Sequence, residues 1–392
     1  MNSIIKSISE QYTQYISSRF IGLRKLVIAS LIFLTPFYSL ALSIFAHEAI
    51  IDLEWQKTIR PLLKLKYPAA TDSELLVAHA YCYGGAIVPD MGYYSTGGMF
   101  FTNLVHYVYT GDFVNALFDE AENVNEYAFA VGFLSHYYAD KYGHSLCTNK
   151  AVPIMFPKLK KKYGDIVTFE QAEIPHTRIE FGFDVVQTAM GNYKPKTYHD
   201  YIGFEVSQPV LERAFLKTYK LEMKDIFNST PIAIAVFRFF VKNMISEFTK
   251  DAWRIRQSVI TQLNPLADQD KFTYKIDKAA YEKEFGKIPV KSTILSFIIG
   301  TFPKIGPLAK FKFKEPSPEV EKLFRQSMDT ILLRYSAHLN SLAYSRPPLE
   351  NINYDDGKKT VLKEYKIADK TYEELLEKLK DKKPVPKIES KI

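Results

Sequence analysis

Apolar residues recur at helical spacing through most of the chain. Period-two apolar–polar runs bounded by turn residues are scarce, so the pattern predicts a mainly α architecture with no internal repeat. One helix is expected from an N-cap at Thr71 or Asp72 through Leu75, Leu76 and His79, stopping at Gly84-Gly85. A loop, Ala86 to Tyr94, then carries Pro89-Asp90. A second helix should run from Phe100 to Tyr109, closed by Gly111, and a third from Val124 to Tyr142. Beyond Lys150 come Pro153 and Pro157, a helical pattern from about Pro175, and further helices over Val210–Tyr219, with Pro209 at the entry, and Ile232–Gln262.

Past Asn264-Pro265 the chain becomes richer in lysine and proline, which marks a C-terminal extension. Ser317-Pro318-Glu319 opens its best helix, to about Leu342. The Lys-rich tail from Gly357 is expected to be mobile, with at most one short helix after Asp369. Thr293–Phe302 is apolar but too short to span a bilayer; core packing is the plainer reading and membrane-surface contact the sharper one.

The first residues read differently. A basic stretch with Lys6, Arg19, Arg24 and Lys25 leads into an uncharged run from Leu26 to Ala46, which is the pattern of an export signal. The small-x-small triplet Ala41-Leu42-Ser43 offers a cut before Ile44, and an uncut run would be long enough to anchor the protein. The expected division is therefore 1–43 as signal peptide or anchor, 44–264 as the main domain and 265–392 as the extension, with the domain exported, periplasmic or secreted.

Composition excludes a disordered protein: of 392 residues, 47% are hydrophobic and 24% charged. Only Cys82 and Cys147 are available, so no disulfide framework holds the fold, although one bridge between them stays open. The net charge of +7 includes Lys158, Lys160, Lys161 and Lys162, a run that suits a solvated face or attraction for anionic phosphate or membrane.

The strongest chemical signal is His136-Tyr-Tyr-Ala-Asp140-Lys-Tyr-Gly-His144, with three potential ligands at i, i+4 and i+8. Each step of four turns about 40° past a full turn and rises about 6 Å, so the three form a slowly rotating stripe that one ion cannot easily gather. The spacing suits neighbouring ions, with Asp140 between two histidines as the bridge. His176-Thr-Arg-Ile-Glu180 supplies a second His-x3-carboxylate pair from another helix. Imidazole with carboxylate suits zinc. A lone histidine on an apolar helix is more often a satisfied core residue, and that reading covers His79, His199 and His338.

Together, Ala78-His-Ala-Tyr-Cys-Tyr-Gly-Gly, Pro89-Asp90, Phe101-Thr-Asn-Leu-Val-His106, the His136 stripe and His176-x3-Glu180 resemble bacterial zinc-dependent phospholipase C proteins, from about His47 to Trp253. That family shares its fold with single-strand-specific zinc nucleases. The resemblance implies an all-α, multi-helical domain holding two or three Zn2+ ions. It implies that His47, Asp90, His106, His136, Asp140, His144, His176 and Glu180 are the metal ligands, with Asp90 also acting in catalysis. Known members begin their mature chain with a Trp that binds zinc through backbone groups, a place that Ile44 would take here after cleavage.

The expected activity is hydrolysis of phospholipid head groups by metal-activated water, with contact to a membrane surface and no protein partner evident. A nuclease acting on single-stranded nucleic acid is the nearest rival, since Tyr83, Tyr93, Tyr94, Tyr107 and Tyr137 could stack bases. A non-catalytic zinc-binding scaffold is the third reading.

Overall fold

The computed structural model describes residues 44–94, 98–190, 204–273 and 314–380, which form helices joined by short turns, with no strand among them. The expected signal or anchor (1–43), His199 and the apolar stretch Thr293–Phe302 lie outside the described residues. Among the described residues no helix is long and apolar enough to cross a membrane.

The centre is built by helix α1 (Ile44–Glu54), whose residues 44–51 are all buried. A π turn at Trp55–Ile59 links it to α2 (Arg60–Lys66). Helix α3 (Asp72–Ile87) begins with a full capping box: the Thr71 hydroxyl accepts from the Glu74 N–H while Glu74 accepts from the Thr71 N–H. The expected stop at Gly84-Gly85 is corrected, because the helix runs on to Ile87. These glycines serve packing: a Cβ on Gly85 would lie 2.0 Å from the Phe129 carbonyl oxygen. On the facing helix, a Cβ on Gly132 would lie 2.0 Å from the Cys82 carbonyl oxygen.

After a 3-10 turn at Val88–Asp90 come α4 (Met99–Tyr107), α5 (Thr110–Asp119) and α6 (Val124–Gly143). The expected stop at Gly111 is corrected in the same way. Helix α4 ends at Tyr107, Tyr109 turns the chain with a left-handed φ of 53°, and Gly111 lies inside α5. Its missing side chain leaves room for the Leu349 and Glu350 carbonyls, 2.6 Å from where a Cβ would sit. Helix α6 is capped by Asn123, which accepts from the Asn125 and Glu126 N–H groups, and runs into a π turn at His144–Thr148.

There follow α7 (Asn149–Met155), the exposed lysine-bearing α8 (Pro157–Tyr163), α9 (Glu173–Ala189), α10 (Gln208–Tyr219) and α11 (Thr230–Leu263). Cys82 and Cys147 are buried and free, so the bridge left open by the sequence is not made.

The C-terminal part is built onto this body. Helix α12 (Pro318–Ser341) turns Val320, Phe324, Ser327, Ile331, Tyr335 and His338 inward at three- and four-residue steps. Its Tyr335 hydroxyl donates to the Val131 carbonyl at 3.0 Å. The mobile tail expected from Gly357 gives way, over residues 357–380, to an ordered turn and helix α13 (Lys366–Lys380) packed against α4. Ala368, Thr371 and Leu375 supply its buried face, a spacing hidden by the lysine-rich composition.

Candidate metal centre

Helices α1, α4, α6 and α9, together with the turn after α3 and the π turn after α6, converge on one buried cluster. It contains all eight residues expected as ligands, and it resolves into three groups. These are His47 with His136 and Asp140; Asp90 with His106 and His136; and His144 with His176 and Glu180. Within each group the ligand-type atoms lie within 4.8 Å of one another. All eight side chains are buried, from 0% exposure at Asp140 to 3% at His144.

The backbone aims the imidazoles. His106 Nδ1 donates to the Thr102 carbonyl at 2.8 Å, and His136 Nδ1 donates to the Ala86 carbonyl at 2.8 Å. A carbonyl can only accept, so Nδ1 carries a proton in both rings and Nε2 is the atom left for a ligand. The two Nε2 atoms face each other at 3.3 Å. His47 stacks on His136 with ring centroids 4.3 Å apart. In the third group His176 Nε2 donates to Asn149 Oδ1 at 2.7 Å, leaving Nδ1 to face Glu180 Oε1 at 3.1 Å.

Asp140 lies between the first two groups. Its Oδ1 is 3.5 Å from His47 Nε2, while Oδ2 is 3.1 Å from His136 Nε2 and 3.4 Å from His106 Nε2. The spacing alone suggests Asp140 as a bridge between His136 and His144. The structure puts it between the His47 and His106 sides, and His144 faces Glu180 instead, with Nε2 3.4 Å from Oε1. The reason is helical geometry: eight residues turn the side chain about 80° and carry it about 12 Å along the axis, into a different group.

The electrostatics fit a set of cations. Burial lowers His106, but hydrogen bonding and charge from Asp140 and Asp90 outweigh it and raise the imidazole to about 9. Burial likewise opposes protonation of His144, yet Asp140, Glu180 and Asp355 push it up to about 10. His47 is lowered well below its ordinary value by burial and by His136, which outweigh the upward pull of Asp140. Burial resists ionisation of Asp140, but the His136 and His144 imidazoles hold its carboxyl well below the usual range. Asp90 goes the other way: burial raises its carboxyl, opposed by His106.

Among the described residues no Lys or Arg pairs with Asp90, Asp140 or Glu180; their ion-pair partners are histidines. Both nitrogens of His47 and His144, both Asp140 oxygens, Asp90 Oδ1 and Glu180 Oε2 are buried without a hydrogen-bond partner. Orphaned donors and acceptors of this kind are costly unless something satisfies them. Imidazole and carboxylate atoms converging in threes match the donor set of zinc, whose binding displaces the protons the histidines otherwise hold.

Two residues beside the site escaped the sequence reading. Asn149 orients His176, and Asp355 reaches the third group from the C-terminal segment, its Oδ1 3.6 Å from His144 Nδ1. The Asn353-Tyr-Asp-Asp-Gly357 run signals a turn but carries no mark of its distant neighbour. Two of the histidines expected in the core lie outside the cluster: His79 stacks on Trp55 at 3.9 Å and faces Asp52, and His338 bonds the Tyr138 hydroxyl.

The site and fold together define an all-α protein with a multi-carboxylate, multi-histidine centre. The family model described as zinc dependent phospholipase C matches residues 47–229. No curated protein and no solved structure matches the chain.

Proposed function

We propose that the protein is a zinc-dependent phosphodiesterase of phospholipase C type, cleaving phospholipid head groups at the cluster between α1, α4, α6 and α9. The observation that carries this reading is the convergence of His47, Asp90, His106, His136, Asp140, His144, His176 and Glu180 into three adjoining groups, all within the segment that the family model matches. When bound, zinc supplies a Lewis acid that polarises phosphoryl oxygens and brings water toward ionisation at neutral pH. The chain's own residues do the rest. Asp140 offers one oxygen to each of two groups and so sets their separation. Thr102, Ala86 and Asn149 fix the imidazole protons that face away from the cluster.

Asp90 is placed to take a proton from water. Burial raises its carboxyl from the ordinary carboxylate value, which improves it as a base near neutral pH. Its Oδ1 is 3.3 Å from His106 Nε2 and has no hydrogen-bond partner. The scheme also includes export of the domain, supported by the basic and uncharged pattern of the first 43 residues.

Asp90→Asn tests the assignment. The amide keeps the shape and the oxygen donor but loses the base, so hydrolysis of phosphatidylcholine should fall on the order of 100-fold or more, with the melting temperature close to wild type. Metal analysis of the same variant should show zinc content near that of the wild-type chain. Full activity in Asp90→Asn would remove Asp90 from the mechanism. A wild-type chain that binds zinc, leaves phospholipids intact and cuts single-stranded nucleic acid would favour the nuclease reading. Zinc binding with no phosphodiester cleaved would favour the scaffold.

A further inference from the structure

The segment after α12 returns across the metal centre as a strap. The Thr110 hydroxyl bonds both the N–H and the carbonyl of Ile352, and the Tyr354 N–H donates to the His106 carbonyl at 3.0 Å. A tight turn follows. The Asp355 N–H donates to Asn353 Oδ1 at 2.8 Å and the Gly357 N–H to the Asn353 carbonyl at 2.9 Å. Gly357 has a φ of 73°, and a Cβ there would lie 2.8 Å from the Lys141 carbonyl oxygen, so the turn needs glycine on both counts.

This turn drives Asp355 into the protein interior. One carboxylate oxygen, Oδ2, accepts from the Phe169 N–H at 3.0 Å and from the Tyr365 hydroxyl at 2.7 Å. The other, Oδ1, is buried without a hydrogen-bond partner and lies 3.6 Å from His144 Nδ1. The Asp355 carbonyl accepts from Asn149 Nδ2 at 2.7 Å, and that amide turns its oxygen to His176. Asp355 therefore stands behind both histidines of the third group, on the side away from Glu180.

We propose that Asp355 is a positioning residue for the third ion site: the charge of its Oδ1, 3.6 Å from His144 Nδ1, favours a proton on that nitrogen and so the tautomer whose Nε2 lone pair faces Glu180. The proposal rests on the zinc reading above and deepens it, because it makes the segment beyond the family match part of the metal centre. A carboxylate behind a metal-binding imidazole fixes ring orientation and strengthens the ligand, and its loss typically costs about 10–100-fold in metal affinity.

Asp355→Asn is a sharp probe because the two donors at Oδ2 dictate how the amide sits. Its oxygen must stay with Phe169 and Tyr365, which turns the NH2 toward His144 Nδ1. An NH2 group cannot accept, so the imidazole proton moves to Nε2, the atom meant for the ion; the wrong tautomer is enforced. In the full-length chain, zinc affinity is read by competition with a chromophoric chelator, and folding by melting in excess chelator. The metal-free variant should melt near the metal-free wild type, while one ion is held about 10–100-fold more weakly. Adding Asp355→Asn to His144→Ala should produce no further loss, since both act through the same imidazole.

Three results would overturn the proposal: unchanged affinity for every ion, an additive loss in the double variant, or a fall in metal-free stability with zinc affinity intact. Should Asp355→Asn not fold, Tyr365→Phe carries the test; it removes one anchor from Oδ2 and should weaken the same ion several-fold, and no change would be equally fatal. A wild-type chain that takes up no zinc would overturn the zinc reading itself, whereas wild-type binding that Asp355→Asn leaves untouched overturns this proposal alone.

Discussion

Asp140→Ala is expected to abolish cooperation between two of the three ligand groups and to cut phosphodiester hydrolysis on the order of 100-fold or more, beyond the range typical of residues that merely support a ligand. The reason lies in its placement. Asp140 is fully buried, with Oδ1 on the His47 side and Oδ2 on the His106 and His136 side. Its removal deprives both groups of their shared anion: His47 and His136 are left without a carboxylate, and the second group keeps only Asp90. The effect should also appear without a substrate. A ligand that binds only the folded state at about 100 times its dissociation constant stabilises it by about 2.7 kcal/mol. The gap in melting temperature between zinc-loaded and chelated wild type should therefore be large, and in Asp140→Ala it should shrink markedly. An undiminished gap in the variant would remove Asp140 from the metal centre.

The second large effect concerns a residue with no chemistry. Gly132→Ala places a methyl group 2.0 Å from the Cys82 carbonyl oxygen and 3.0 Å from the Ala86 nitrogen. Both are backbone atoms of α3, so neither can swing aside and the two helices must separate. Overpacking of this kind typically costs about 1–3 kcal/mol and more where backbone has to shift. A loss of about 3 kcal/mol or more is expected in denaturant unfolding of the metal-free protein, a large share of the roughly 5–15 kcal/mol of an ordinary domain. Zinc affinity should fall as well, because the same contact brings the Ala86 carbonyl within 2.8 Å of His136 Nδ1. A variant within about 0.5 kcal/mol of wild type, the range of ordinary surface changes, would show that the helices do not rely on this crossing.

The pairs His136/Asp140 and His176/Glu180 were legible because a four-residue step on a helix is a local property. The helical class was legible for the same reason. What the residues did not reveal was every feature decided by distant contacts. Gly84, Gly85 and Gly111 read as stops, but the space they leave is filled by backbone from residues 205, 129 and 349–350. The partition of His144 into a group with His176 and Glu180 depends on how the π turn after α6 packs against α9. Asp355 is the clearest case: it approaches the site from a segment whose composition reads as a charged, turn-rich tail. His47, Asp90 and His106 carried no local pairing of their own and entered through family resemblance alone; the structure gathers them beside Asp140 and His136.

The central claim is that these side chains hold divalent cations. It is tested most directly by elemental analysis of the purified full-length chain after dialysis against zinc-free buffer, with His136→Ala as the control. The expected result is more than one zinc per chain in the wild type, with a clear loss in the control, since His136 belongs to two of the three groups. A folded wild-type chain carrying no zinc, or one whose zinc content is indifferent to His136, would contradict the account.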